Sequence, residues 1–311
     1  MRLAPRVIAL CGILAVLAGA SCTSEEPVRE RSSPAAAFPV TATDDDGVEV
    51  TLQTEPQRIV TFAPSNTEIV FALGLGDRLV GVSGDFDNYP PEAQAIEHVG
   101  GAGEFGVDPN VEKLVSLEPD LMLAIAGGEH WKDSVRDLDI PVFTVNATDF
   151  DDLLQDIETV GRITGATEEA QKLTDAMVGE AESIQAAVAA EPRGSCFFEA
   201  YFPPLTTVGP ETFIFDLLGR AGCDPVSAGA STDYPEWSVD RLVQEDPDVY
   251  LVSSESGQSI QAVGERPGFG ELSSVQGDNV ILIDSDLVSR PGPRVVDGLQ
   301  ALAEALHPDV A

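Results

Sequence analysis

Short apolar runs alternate with segments of helical spacing along most of the chain. Residues 58–62 (RIVTF), 79–82 (LVGV), 121–125 (LMLAI) and 142–145 (VFTV) are continuous enough in apolar side chains to predict buried strands. Between them, residues 65–73 and 111–117 carry apolar positions at helical spacing, with Ser65 or Asn66 expected to cap the first. The pattern returns after residue 193, with strands expected at 196–201, 249–252 and 280–283, a helix over 213–220 and a closing helix over 295–306. Strand–helix alternation of this kind specifies an α/β fold with parallel layering. Two such runs predict two α/β lobes, residues 39–165 and 193–311.

Between the lobes, residues 167–190 are rich in strong helix formers, with Thr167 as the expected N-cap and Pro192 as the stop. One long connecting helix is therefore expected within residues 166–192. A helix rises about 1.5 Å per residue, so this one would span a lobe and resist hinge motion better than a loop.

A short internal repeat supports the two-lobe reading. Residues 112–123 read EKLVSLEPDLML and residues 240–251 read DRLVQEDPDVYL, each a short helix, a Pro-Asp turn and an apolar strand. A pseudo-twofold relation would place Glu112 and Asp240 at corresponding points.

Composition narrows the function. In 311 residues, 53 acidic side chains oppose 17 basic ones, a formal net charge of -36. Such a surface repels phosphate backbones and anionic headgroups, which argues against nucleic-acid binding. At the N-terminus, Arg2 and Arg6 precede an apolar run, residues 7–17, of signal-peptide length. Residues 1–21 are thus expected to direct export. The small residues before Cys22 resemble the lipobox of bacterial lipoproteins, with Cys22 the lipidated residue; an ordinary secretory signal is the alternative. Stable anchoring to the outer face of a membrane takes two or more acyl chains. Residues 22–38 lack periodicity and read as a flexible tether. Cys11 lies in the signal and Cys22 is the lipid site, which leaves Cys196 and Cys223 as a disulfide pair or as two buried thiols.

The chain has no G-x-S-x-G elbow, no phosphate-cradling P-loop and no H-E-x-x-H helix, so no enzyme class is indicated. Its three histidines, His98, His130 and His307, are too dispersed for a free-metal site, and His98 and His307 are expected at the surface.

Several separated blocks closely resemble the solute-binding proteins that deliver cobalamin, ferric siderophores or haem to ABC importers. They are RIVTFAPSNTEIVFALGLGDRLVGV with DNYPPEA, then NVEKLVSLEPDLMLA, then RPGPRVVDGLQALAEALHP. The resemblance covers residues 39–308. It implies two Rossmann-like lobes joined by one long helix, with the ligand in the cleft between them. It also implies an extracytoplasmic monomer, without cofactor or catalysis of its own, that serves an ABC permease and its ATPase. Residues 63–73 and 88–91 look most like the cobalamin-binding branch. The run GGAGEFG at 100–106 departs from that branch where a cleft tryptophan is expected, and haem, with Tyr89 or Tyr201 on iron, is the alternative.

The resemblance also implies residue roles. An acidic residue on each lobe docks on permease arginines in this family; Glu112 matches the first position and Asp240 the second, where Glu is usual. Loops at strand ends would supply the ligand contacts, Phe86 and Tyr89 from the first lobe and Tyr201, Phe202 and Trp237 from the second. Trp131 is expected near the cleft mouth, and Phe62 and Phe71 in the core. In SDLVSRPGPR, residues 285–294, Asp286 and Arg290 reproduce the spacing of an Asp and an Arg that lie at the ligand in cobalamin-type relatives. Arg294 is expected to open the last helix as a structural brace.

Overall fold

The apolar runs form two four-stranded sheets, every strand pair within them parallel. The computed structural model describes residues 38–100 and 108–309. The signal segment, Cys22, the tether up to residue 37 and the glycine-rich run from residue 101 lie outside the described residues. A hairpin of β1 (Val40–Thr43) and β2 (Glu49–Leu52) opens the fold. The first sheet holds β3 (Ile59–Thr61), β4 (Leu79–Gly81), β5 (Leu121–Ala124) and β6 (Val142–Thr144), in the order β4-β3-β5-β6. Its helices are α1 (Pro64–Ala72), α2 (Val111–Ser116), α3 (Glu129–Arg136) and α4 (Phe150–Thr164), and α5 (Thr167–Val188) leads out of the lobe. The second sheet holds β7 (Gly194–Glu199), β8 (Cys223–Pro225), β9 (Val249–Ser253) and β10 (Val280–Ile283), in the order β10-β9-β7-β8. With it go α6 (Phe213–Arg220), α7 (Val239–Glu245), α8 (Ile260–Gly264), α9 (Ser273–Gln276), α10 (Ser285–Val288) and α11 (Val295–Leu306). Both sheets therefore share one strand order, in which the first strand lies between the second and third.

The sequence repeat is a structural repeat down to its hydrogen bonds. Asn110 caps α2 by accepting from the Lys113 amide, and Ser238 caps α7 by accepting from the Arg241 amide. Leu114 and Leu242 are buried at the same position. Glu118 and Asp246, each before the proline, both adopt left-handed backbone, at φ 46° and 42°. The Asp of each Pro-Asp turn then reaches back to the first strand of its sheet. Asp120 accepts from the Gln57 and Arg58 amides at 2.8 Å, and Asp248 accepts from the Ser195 amide at 2.8 Å and its hydroxyl at 2.7 Å.

The largest apolar core is continuous across the lobes. It runs from Ile59, Ile69 and Leu123 through Met177 and Ala181 of α5 to Leu217 and Leu299. A separate cluster on the other face of each sheet completes the lobe. The 22 residues of α5 span about 33 Å. Sliding the lobes apart would expose this shared core, so the architecture favours small adjustments over wide opening. Cys196 of β7 and Cys223 of β8 form a disulfide between neighbouring strands, with Cα atoms 6.1 Å apart.

Several local expectations change. α1 begins at Pro64 with Ala63 as its N-cap, and neither Ser65 nor Asn66 caps it. Asn66 is buried instead, donating to the Ala124 carbonyl at the end of β5. Ala166 rather than Thr167 is the N-cap of α5. Proline at the first turn needs no capped amide, which frees both polar residues of α1 for other work. His307 is buried against the Ala221 carbonyl, not exposed, while His98 is half-buried.

Candidate ligand cleft

Parallel strands deliver their C-terminal loops to one end of a sheet, and open α/β sheets bind ligands there. Here the loops of both sheets enclose a cavity of about 500 Å³ between the lobes. The first lobe contributes Ala63, Pro64 and Ser65 after β3, Ile125 after β5, and Val145 and Asn146 after β6. The second contributes Glu211, Phe213, Asp233, Tyr234 and the segment Ser289, Arg290 and Pro291. One wall is small and apolar, and the other carries charge and aromatic rings. That asymmetry suits a ligand with a broad apolar face and polar substituents at one edge.

Among the described lining residues Arg290 is the one cation, and it is held on several sides. Its Nη2 lies 2.5 Å from Asp286 Oδ1, and its Nη1 donates to Asn88 Oδ1 at 2.9 Å. Asn88 donates in turn to Asp286 Oδ2 at 3.1 Å, closing a triangle across the lobes. Glu68 of α1 lies 3.9 Å from Arg290 Nη1 and receives two bonds from Arg294, at 2.9 and 2.5 Å. Glu68 is nearly fully buried. Burial pushes its carboxyl above the ordinary glutamate range, while the Arg294 hydrogen bond and the charges of Arg294 and Arg290 pull it back. Arg294 is made more basic chiefly by its hydrogen bond to Glu68, against the cost of its own burial. The Arg294 guanidinium also lies 4.1 Å over the Tyr89 ring.

The expected site residues thus separate. Asp286 and Arg290 meet Asn88 at the lobe boundary, with Arg290 lining the cleft. Phe86 and Tyr201 are exposed on the loops after β4 and β7. Tyr89 lies under Arg294 and lines a different, larger hollow of about 880 Å³, bounded by α1, α5 and the start of α11. Phe202 lies beneath the Arg266 guanidinium, 3.8 Å from its ring. Trp237 is a core residue rather than a cleft residue: it is 5% exposed, packs on Phe197 and donates its indole N–H to Glu245. Trp131 is likewise buried, edge-on to Phe62, and a Cβ on Gly128, at φ 72°, would collide with its indole. Phe62 is in the smaller core cluster of the first lobe, and Phe71 is partly buried against the continuous core.

Sequence reasoning missed Asn88 and Glu68 as partners of the arginines, together with Phe213 and Tyr234 on the wall. Asn88 and Glu68 lay inside motifs quoted only for resemblance. Phe213 opens α6 and is itself 7% exposed, so its apolar character marks it equally as core. Glu112 and Asp240 are exposed at the second position of α2 and α7, and among the described residues neither forms an ion pair.

Comparison with known proteins bears on the family and the fold. A family model for periplasmic binding proteins matches residues 59–287. An uncharacterized ABC transporter substrate-binding lipoprotein, YvrC of Bacillus subtilis, is 33% identical over 303 residues, covering 94% of this chain and 94% of its own. A cobalamin-binding protein of Halobacterium salinarum is 29% identical, covering 97% of this chain and 83% of its own. Among solved structures, a Staphylococcus epidermidis protein described as a possible iron-binding, periplasmic solute-binding protein superposes with a TM-score of 0.72 at 27% identity. It covers 82% of this chain and 100% of its own.

Proposed function

The chain belongs to the periplasmic binding protein family, and from that premise we propose that it captures a corrinoid outside the cytoplasm and delivers it to an ABC permease. The observation that carries the ligand class is the cleft, in which an apolar wall faces Arg290 and aromatic rings at the ends of two parallel sheets. Such a wall takes the face of a macrocycle, and Arg290 takes an amide, carboxylate or phosphate at its edge. The cobalamin-binding relative, aligned over nearly the whole chain, supports a corrinoid. The iron-binding description of a structural neighbour makes a ferric chelate the second reading.

Phe86 and Tyr201, exposed on loops after β4 and β7, would cover the ligand in this reading. Glu112 and Asp240 stand at equivalent exposed points on the two lobes, and a matched pair of charges fixes the register of a docked partner more than it adds affinity. Cys22 supplies the lipid anchor and residues 22–38 the tether in this reading. Among the described residues no helix is long and apolar enough to cross a membrane.

Calorimetric titration with cyanocobalamin, haem and a ferric hydroxamate decides the ligand. Cyanocobalamin is expected to bind at micromolar concentration or tighter, and binding of the hydroxamate alone would replace the corrinoid reading with the second one. In cells that depend on this protein for import, Glu112→Lys with Asp240→Lys is expected to stop uptake, while the purified variant titrates unchanged.

A further inference from the structure

The least explained group beside the cleft is an acid. Glu68 is 3% exposed, belongs to the first lobe, and spends its carboxylate on two arginines of the second. In a chain with so many solvated carboxylates, this one is desolvated and satisfied by partners from the other lobe. Together Glu68, Asp286, Arg290 and Arg294 make a cluster of two negative and two positive charges at the lobe boundary.

The covalent link between the two arginines is short and stiff. Arg290 and Arg294 are separated by Pro291, Gly292 and Pro293, and the prolines fix φ on either side of the glycine. Gly292 lies directly on α1: a Cβ there would meet Glu68 Oε2 at 3.5 Å and the Ser65 carbonyl at 3.6 Å. Seizing Arg294 therefore seats the whole turn, and the turn sets where the Arg290 guanidinium stands between Asp286 and Asn88. The Tyr89 ring adds a further contact to the Arg294 guanidinium, 4.1 Å away.

We propose that Glu68 is a positioning residue of the ligand site: by clamping Arg294 across the lobe boundary it fixes the Pro-Gly-Pro turn and holds Arg290 in the orientation that meets the ligand. Glu68 itself touches no ligand. The inference rests on the reading that Arg290 contacts a corrinoid in the cleft. It also gives the buried charge a use, because a desolvated ion pair is a weak source of stability but a strict fixer of geometry.

A double-mutant cycle on the purified protein, titrated with cyanocobalamin, tests it. Glu68→Gln keeps the shape of the side chain and removes its charge; it is expected to weaken binding by about 10-fold in the wild-type background. In the Arg290→Ala background the same substitution is expected to cost nothing further, because the group it positions is gone. Arg294→Gln, made from the other side of the clamp, is expected to give the same pattern and guards against a folding defect peculiar to Glu68→Gln. Equal losses in both backgrounds would show that Glu68 only stabilises the fold, and unchanged affinity of Glu68→Gln would remove any role; either overturns the inference while the corrinoid reading stands. Arg290→Ala that binds cyanocobalamin normally overturns the inference and the Arg290 contact it rests on while the corrinoid reading stands, and wild-type protein that fails to bind cyanocobalamin overturns both.

Discussion

Strand order and the pinned Pro-Asp turn are common to the two lobes, yet the loops at the mouth of the cleft are braced by different chemistry. In the first lobe three consecutive aspartates of the β1–β2 hairpin do the work. Asp44 accepts from the Thr144 amide at 3.1 Å, Asp45 from the Asn146 amide at 2.5 Å, and Asp46 from Lys132 Nζ at 2.6 Å. Asn146 is itself on the cleft wall, so the hairpin holds that wall from behind. In the second lobe the brace is a sealed ion pair. Glu199, fully buried at the end of β7, binds the Arg266 guanidinium and accepts from the Tyr250 hydroxyl at 2.5 Å. Arg266 then lies against Phe202 in the following loop. The shared turn fixes the sheets, where the lobes need the same thing. The unlike braces fix the loops, where one lobe offers a plain wall and the other carries Arg290 and aromatic rings.

The comparison breaks most visibly at Arg266. Arg266→Ala leaves the Glu199 charge buried without its partner and is expected to cost about 3–5 kcal/mol in urea unfolding. It should also free Phe202 and disturb its loop. A loss below about 1 kcal/mol would mean that the pair contributes no more than a surface bridge. A smaller effect is expected at the shared turn. Asp120→Ala and Asp248→Ala each release two exposed donors to water at the start of a sheet and should each cost about 1 kcal/mol through the lost hydrogen bonds. If one costs several times the other, the two turns are alike in sequence but not in load.

The sequence disclosed the parts of this scheme that depend on local pattern. Strands β3, β5, β9 and β10, the helix α11 and the long α5 follow from apolar runs and helix formers, and the repeat at 112–123 and 240–251 already contains the capped helix and pinned turn. The β1–β2 hairpin was missed, although VTATDDDGVEVTL alternates polar and apolar residues about an Asp-Gly turn, the pattern of a half-buried hairpin. α4 was missed as well, despite Asp149 as an N-cap and Gly165 as a left-handed stop. The facing of aromatic rings was not legible in the same way. Trp237 lies in a loop, but its amide bonds to the Leu205 carbonyl and its ring enters the core, a pairing of two loops that no local pattern encodes. Glu68 was hidden for the same reason, since its partner Arg294 is 226 residues away in the chain.

The braces should also differ in their response to pH. Behind the hairpin, Asp156 of α4 is pushed up to about 8, first by burial and then by the charges of Asp45 and Asp152. Asp45 is raised too, chiefly by burial, although its bond from the Asn146 amide pulls it down. The folded state therefore holds a proton here that the unfolded chain releases near the ordinary carboxylate value, about 4. A raised folded value means that this contribution to stability is complete below the unfolded value and is lost as pH rises through about 8. Thermal midpoints should accordingly fall between pH 6 and pH 9, with a slope from this site of at most about 1.4 kcal/mol per pH unit. Asp156→Asn, which keeps a neutral side chain at every pH, should flatten that slope. A wild-type midpoint that is level across the range, or an Asp156→Asn protein that keeps the full slope, would show that the hairpin carboxylates share no proton and that the first lobe's brace is an ordinary solvated network.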